Sequence, residues 1–451
     1  MKLPIGTYTD RSPPAGVQRL INVYAEQNLE RGAVLRRAPG IMTFATVGSG
    51  PVRGMRTFKG KLYVVSGTTL YRVNPDGSSV ALGAIPGEGR IAIADNGIHL
   101  CIVADKRGFI TQGSAIEEIT DEEFREATDV DFIDNYLVFV EANSGRFFCS
   151  DLADATSYDG LNFATAESQP DNLVGLIVDH REIFLAGETT CEIWYNDGST
   201  GFPFSRDSNG VVEIGCADGN SLVKADNSVF WLANDFTIRR LNGITPVRVS
   251  QHQIEQAITD MRDRSCHAFS WVWDGHVQIC FDFNTRAFIY DINTNEWHER
   301  ATFNGRGNAG VDRWQVTDCV LAYEKWFVGS NTTGQIGYFD SQTYTEFGEI
   351  QRCEWTYAPV YSANIRAFHR RFEVMADPGG TAEIMLAVSD DGGYTFRNLG
   401  TKSLGERGEF KSRAVWHRLG TARNRVYRAA ITDPVKFTVY DTQLVAEGGK
   451  L

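Results

Sequence analysis

Hydrophobic and polar positions alternate along most of the chain in short runs broken by turn residues, and one strand-and-turn unit recurs about seven times between Val52 and roughly Ile350. Alternation with a period of two marks half-buried strands, and its interruption by Gly, Pro, Asn and Asp marks the reversals. The clearest unit runs from His267 to Arg300, where four strand-like segments are separated by Asp274-Gly275, Asn284-Thr285 and Asn293-Thr294-Asn295. Asp-Gly favours positive φ and closes a tight hairpin, so this unit reads as a four-stranded meander. A second unit, Val52 to Ile85, turns at Lys59-Gly60-Lys61 and at Asn74-Pro75-Asp76-Gly77, where proline fixes φ and glycine relaxes it. Units begin near Val52, Gly89, Asp129, Leu173, Leu222, His267 and Gln315, at spacings of 37, 40, 44, 49, 45 and 48 residues. Such periods predict the blades of a β-propeller, six or seven in number.

The flanks follow other patterns. Residues 1–50 carry turn signals (Ser12-Pro13-Pro14-Ala15-Gly16 and Ala38-Pro39-Gly40) around one apolar piece, Leu20-Ile21-Asn22-Val23-Tyr24. So short an apolar piece cannot build its own core, and the arm must lie along something else. Thr120-Asp121-Glu122-Glu123 and Ser250-Gln251-His252-Gln253 fit the capping box, and the second leads into Ile254, Ala257, Ile258 and Met261 at helical spacing. Both predict short helices between blades. From Arg352 the repeat stops, while strand patterns continue through Cys353 to Tyr361, Arg366 to Met375, Ala382 to Val388, Val415 to Leu419, Tyr427 to Ile431 and Val435 to Val445. The predicted fold class is all-β: an extended N-terminal arm over 1–50, a β-propeller over 51–350 and a β-sandwich-like domain over 351–451.

Composition agrees with a folded chain. Of 451 residues, 42% are hydrophobic and 12% aromatic, enough for two or three cores. No apolar run approaches the roughly 20 residues that span a bilayer. The N-terminus lacks the apolar core of an export signal, so assembly in a cytoplasm is expected. The eight cysteines, at 101, 149, 191, 216, 266, 280, 319 and 353, stand apart and read as reduced core residues. In that setting the Asn331-Thr332-Thr333 sequon is inert. Net charge is −13, unevenly placed: between positions 361 and 430 twelve Lys or Arg face seven Asp or Glu, an excess of five positive charges that leaves the remainder at −18. An acidic body repels free nucleic acid, and the basic module is either a solvated face or a docking surface for another protein.

Candidate chemistry is sparse. Ser389-Asp390-Asp391-Gly392-Gly393-Tyr394-Thr395-Phe396 fits the Asp-box pattern of sialidase hairpins, carried by Ser389, Asp391, Gly393, Thr395 and Phe396. There the carboxylate accepts backbone and hydroxyl hydrogen bonds while the aromatic residue enters the core, which is structural work. His267 and His276 are the closest histidines and could meet on facing strands, without an acidic or Cys partner at ligand spacing. No phosphate loop, nucleophile elbow or zincin helix occurs, so no catalytic residue, cofactor or metal is predicted. Paired carboxylates at glycosidase spacing remain open. Arg413, Arg418, Arg423, Arg425 and Arg428 alternate with Val415, Trp416, Tyr427 and Ile431, which predicts basic residues on one sheet face and apolar ones in the core. That basic face is exposed sheet or a candidate partner interface.

Three stretches carry a family likeness in a shared order. They are Leu20-Ile21-Asn22-Val23-Tyr24-Ala25-Glu26 with Arg37-Ala38-Pro39-Gly40-Ile41; the segment from Ala166 to Leu176 with Thr189 to Gly198; and Val415-Trp416-His417-Arg418-Leu419-Gly420-Thr421-Ala422-Arg423. Together they resemble the packaged-DNA stabilisation proteins of short-tailed bacteriophages, also described as tail hub or tail nozzle proteins. The resemblance implies a non-enzymatic virion protein of the tail. It also implies a ring of six copies beneath the portal and its adaptor, with a needle or plug below and tail fibres or spikes outside, passing double-stranded DNA without tight binding. The rival readings are a glycan-binding or glycan-cleaving propeller, motivated by the Asp box and Trp271-Val272-Trp273, and a cellular propeller scaffold.

Overall fold

Seven antiparallel four-stranded units follow one another in the computed structural model, which describes every residue except 11, 13–15, 31, 306–309, 362–364, 407, 408, 410, 411, 450 and 451. The Pro13-Pro14-Ala15 turn signal lies outside the described residues. The units open with Val52–Phe58, Ala92–Asp95, Ala127–Ile133, Leu173–Asp179, Val223–Ala225, Cys266–Trp273 and Val316–Ala322. These first strands touch one another in a closed cycle, so the fold is a seven-bladed propeller. Blade 6 has the expected form, with hairpin turns after Trp273, Phe283 and Asp291. Blade 7 supplies only three strands from its own stretch of chain. Its fourth is Gly40–Thr46, antiparallel to Gln335–Asp340, which closes the circle with the N-terminal segment. Only glycine fits at Gly40, because a Cβ there would stand 2.2 Å from the Thr343 carbonyl oxygen.

Two helices were expected between blades and one forms. His252–Thr259 is helical and buries Ile254 and Ile258, but the Ser250 hydroxyl accepts from the Ile238 amide and donates to Glu255 instead of building the capping box. Thr120 to Glu123 makes only a turn: Asp121 accepts from the Glu123 amide at 2.8 Å. Phe124 is drawn into a cluster with Phe139, Phe148 and Tyr158 at ring separations of 5.0–5.5 Å, and that packing outweighs the local helical signal.

Beyond the propeller, two sheets face each other. One orders Val17–Ile21, Cys353–Thr356, Asn424–Ile431, Glu383–Ser389 and Arg397–Ser403; the other orders Val23–Asn28, Gly32–Arg37, Phe437–Gly448, Ala367–Pro378 and Ala414–His417. Their shared core holds Trp355, Tyr357, Phe372, Tyr427 and Phe437 together with Leu20, Val23 and Leu35 from the arm. The arm is therefore a structural part of the sandwich. It also joins the two bodies, since Ile21 pairs with Glu354 in the sandwich and with Glu299 on the outer strand of blade 6.

Buried polar groups line this seam. Asn22, at φ +56°, donates through Nδ2 to the carbonyls of Ala301 and Arg352, both at 2.8 Å. Glu299 accepts from Arg19 and Arg286; burial pushes its carboxyl up, but the two guanidinium groups outweigh burial and hold it at about 2. All five N–H groups of the Arg37 guanidinium are used: on Gln351 Oε1 and O, on the Asp433 and Val435 carbonyls of the sandwich, and on the Tyr344 carbonyl beside blade 7.

Removing that guanidinium leaves buried acceptors unpaired. Arg37→Ala is expected to lower stability by on the order of 3–5 kcal/mol in urea denaturation, with Arg37→Lys recovering less than half, because an ammonium cannot reproduce the planar fork. Acid should also destabilise the fold. Burial holds His298 down to about 3 and His369, beside the Tyr427 hydroxyl, down to about 4. The unfolded chain takes up these protons near about 6.5 while the folded chain does not, so their stabilisation is lost as pH falls below that value. His276, held up by Asp291, and the Asp129 carboxyl, pushed up by burial to about 7, oppose this, because the folded chain binds both protons before the unfolded chain does. Between pH 8 and 5 the change in urea midpoint of His369→Gln, set against that of the wild type, should therefore lack the loss that His369 contributes.

Candidate functional site

Neighbouring first strands belong to separate sheets, so side chains must bridge the main-chain groups that face the propeller axis. Carboxylates do this at three seams. Asp129 and Asp131 of blade 3 accept from the amides of Leu176 and Val178 in blade 4, at 2.9 and 2.8 Å. Asp318 of blade 7 accepts from Met55 in blade 1 at 2.9 Å, and Asp218, at the entry to blade 5, accepts from Cys266 in blade 6 at 3.0 Å. Burial pushes the Asp129 carboxyl up to about 7 against the pull of its two amide donors.

These side chains surround an axial cavity of about 400 Å³. Each of its three cations is paired: Arg56 with Asp95 at 3.0 Å, Lys224 with Asp131 at 3.6 Å and Arg90 with Asp318 at 3.8 Å. Burial lowers the Arg90 pKa, and the carboxylates of Asp318, Asp282, Asp218 and Asp129 oppose it. At one mouth lies a second cavity, about 330 Å³, bordered by Arg53, Arg90 and Arg313. Arg53 is committed to the carbonyls of Gly67, Ile85, Pro86 and Gly89, and Arg313 to Asp282. Among the described residues this mouth has no tyrosine, which a sialidase-like centre would need beside its arginines.

His267 and His276 do not meet. They sit on paired strands at opposite ends of one hairpin, where His267 opposes Asp282 and His276 opposes Trp273. The His267 ring lies 3.3 Å from the Asn220 carbonyl, and His276 is 2.7 Å from Asp291. No group of His, Cys, Asp or Glu suited to a metal ion occurs among the described residues. The eight cysteines are free thiols, seven of them buried, and burial pushes Cys149 and Cys216 up to about 12.

The Asp-box residues form a closed turn in the sandwich. Asp391 accepts from the amides of Tyr394 and Thr395 at 3.0 Å and from the hydroxyls of Ser389 and Thr395, which hold its carboxyl well below the usual range. Gly393, at φ +104°, donates to Ser389. Phe396 does not enter the core; it is half-buried, with the Arg428 guanidinium 4.0 Å above its ring.

The five arginines divide. Arg413, Arg418 and Arg423 are exposed. Arg425 is buried on Asp390 and the Leu419 carbonyl, and Arg428 is buried beside Glu354. Their strand, Asn424–Ile431, is central, flanked by Cys353–Thr356 and Glu383–Ser389, and neither face is solvated. The reading of residues along the chain missed both the axial carboxylates and the seam. A signal for the first existed: Asp is disfavoured inside strands, so Thr128-Asp129-Val130-Asp131 at a blade start asks for a partner.

Residues 3–344 match the family model described as Bacteriophage P22 Gp10, beta-propeller, and residues 354–447 match the model described as Bacteriophage P22 Gp10, beta-sandwich. No curated protein matches the chain. Solved structures similar to it at low identity include BamB from Moraxella catarrhalis, at 10% identity and TM-score 0.40 over 69% of this chain and 92% of that one. They also include YCF48 bound to D1 peptide, at 11% and 0.38 over 75% and 98%. A third is the extracellular domain of the one component system BT4673 from B. thetaiotaomicron, at 10% and 0.46 over 88% and 59%.

Asp318 offers a direct check on the axial seams. Asp318→Ala should leave the Met55 amide unpaired between blades 7 and 1 and lower stability by about 1–3 kcal/mol in urea denaturation, with Asp318→Asn retaining part of it.

Proposed function

The chain belongs to the family of the bacteriophage P22 Gp10 packaged-DNA stabilisation proteins, and from that premise we propose that it is a non-enzymatic tail component. In this reading six copies form the hub or nozzle ring beneath the portal and adaptor, hold the packaged genome and conduct it during ejection. A needle or plug would sit below and fibres or spikes outside, on a virion assembled in the host cytoplasm. The observation that carries the reading is the succession of both family domains along one chain, over 3–344 and 354–447.

The geometry supports a wall rather than a pore. An axial cavity of about 400 Å³ holds on the order of a dozen waters, and paired charges line it. A duplex cannot thread it, so the conduit of this reading lies between copies. A net charge of −13 gives passing phosphates few contacts to break.

Electron images of the purified chain, alone and with an adaptor protein, test the proposal: closed rings are expected. A monomer that cleaves a sialoside would overturn it. In fluorescence anisotropy, duplex DNA should bind weakly at physiological salt with a shallow salt slope; tight binding with a steep slope would contradict a conduit that offers phosphates few contacts.

A further inference from the structure

Blade 3 joins its third and fourth strands, Arg146–Cys149 and Phe163–Thr165, by a connection over 150–162 that is ordered by its own side chains. Asp151 accepts from the Ser157 hydroxyl at 2.6 Å, Asp154 from the Thr156 amide at 2.8 Å and Asp159 from the Leu161 amide at 2.9 Å. The connection is pinned to the segment between blades 2 and 3: the Tyr158 amide donates to Asp121 at 3.2 Å and Arg125 to the Gly160 carbonyl at 3.1 Å. This built loop turns Leu152 and Leu161 outward, 60% and 79% exposed. Around them, residues 115–126 and 151–161 carry nine carboxylates and one arginine. Lys106 and Arg107 pair with Glu126 and Glu118, whereas Glu122, Glu123 and Asp159 form no ion pair among the described residues.

The sandwich has the opposite character at one edge. Ala367–Pro378 pairs there with Thr421–Ala422, placing Phe368 opposite Thr421, and the Arg418 amide donates to the Arg370 carbonyl. Phe368, 50% exposed, thus lies among Arg366, Arg370, Arg418 and Arg423. Arg370 pairs with Glu447, while Arg366, Arg418 and Arg423 form no ion pair among the described residues.

The two surfaces belong to separate parts of the fold. The sandwich is joined at blades 6 and 7, through the Ile21–Glu299 pairing and Arg37, and blades 2 and 3 lie two or three blades away by the shorter way round the circle. Among the described residues no hydrogen bond or ion pair joins the basic edge with its aromatic centre to the acidic rim with its apolar centre. They can meet between chains.

We infer that copies dock head to tail, the acidic Leu152 and Leu161 rim of blades 2 and 3 of one copy seating on the arginine edge around Phe368 of the next. The inference rests on the ring proposed above and names its contact. Such a contact is heterologous, and repetition closes a ring when its rotation permits. Opposite charges fix its register, arginine and aromatic residues suit its centre, and a loop already ordered loses little freedom on docking.

Charge reversal on the full chain tests this by sedimentation, with melting curves to confirm that each variant is folded. Arg418→Glu with Arg423→Glu, and separately Glu122→Lys with Glu123→Lys, should each raise the concentration of half-assembly at least about tenfold. The combined variant should restore assembly. Wild-type rings that both reversals leave intact, or a folded combined variant that stays dissociated, overturn the contact while leaving the ring standing. Wild-type chain that stays monomeric at every concentration, with an adaptor protein as well as alone, overturns the ring itself.

Discussion

The Arg37 guanidinium lies where two β bodies meet edge to edge, and its five donors reach Gln351, Asp433, Val435 and Tyr344 across that boundary. A propeller and a sandwich that met only through apolar faces could slide on each other. Hydrogen bonds of fixed direction, made inside a seam where water is excluded, leave one register. The rest of the arrangement follows from the same stretch, residues 17–46. Val17–Ile21 continues the sheet of blade 6 into the sandwich, Gly32–Arg37 pairs with Phe437–Gly448, and Gly40–Thr46 closes blade 7. A strained or loosened seam would therefore also disturb propeller closure.

The axis repeats this solution at a smaller scale. Blade sheets splay around a circle, so the inner strands stand side by side without pairing, and an aspartate spans the gap between Asp318 and Met55 or between Asp129 and Leu176. Each such carboxylate is costly to bury, as the rise of Asp129 to about 7 records. Apolar side chains could fill the same space, but they could not satisfy the exposed amides.

Local signals were legible and distant ones were not. Asp274-Gly275 and Asn293-Thr294-Asn295 set hairpins between adjacent segments, so blade 6 could be read directly from alternation and turns. Strands such as Val17–Ile21 owe their state to partners about 280 and 330 positions away, and no periodicity reports those. Thr120 to Glu123 reads as a helix start until Phe124 is claimed by three rings of the next blade. Alternation also misplaced Arg425 and Arg428, because a period of two identifies two faces of a strand without saying that both are covered.

Burial also decides which of the basic charges reach solvent. The positive excess between 361 and 430 counts every arginine alike, yet Arg425 and Arg428 lie beside Asp390 and Glu354. Arg371 and Arg413 both reach the buried Glu373. Those charges hold the sandwich together and present little field to a partner. Of the outward charges, Arg366, Arg418 and Arg423 project at the Phe368 edge, while Arg397 and Lys402 stand exposed on the strand Arg397–Ser403 of the other sheet. A diffuse basic domain would attract any polyanion, including DNA. A few arginines set round one aromatic side chain favour a partner whose carboxylates match them in position, and that selectivity suits a protein contact better than a nucleic acid one.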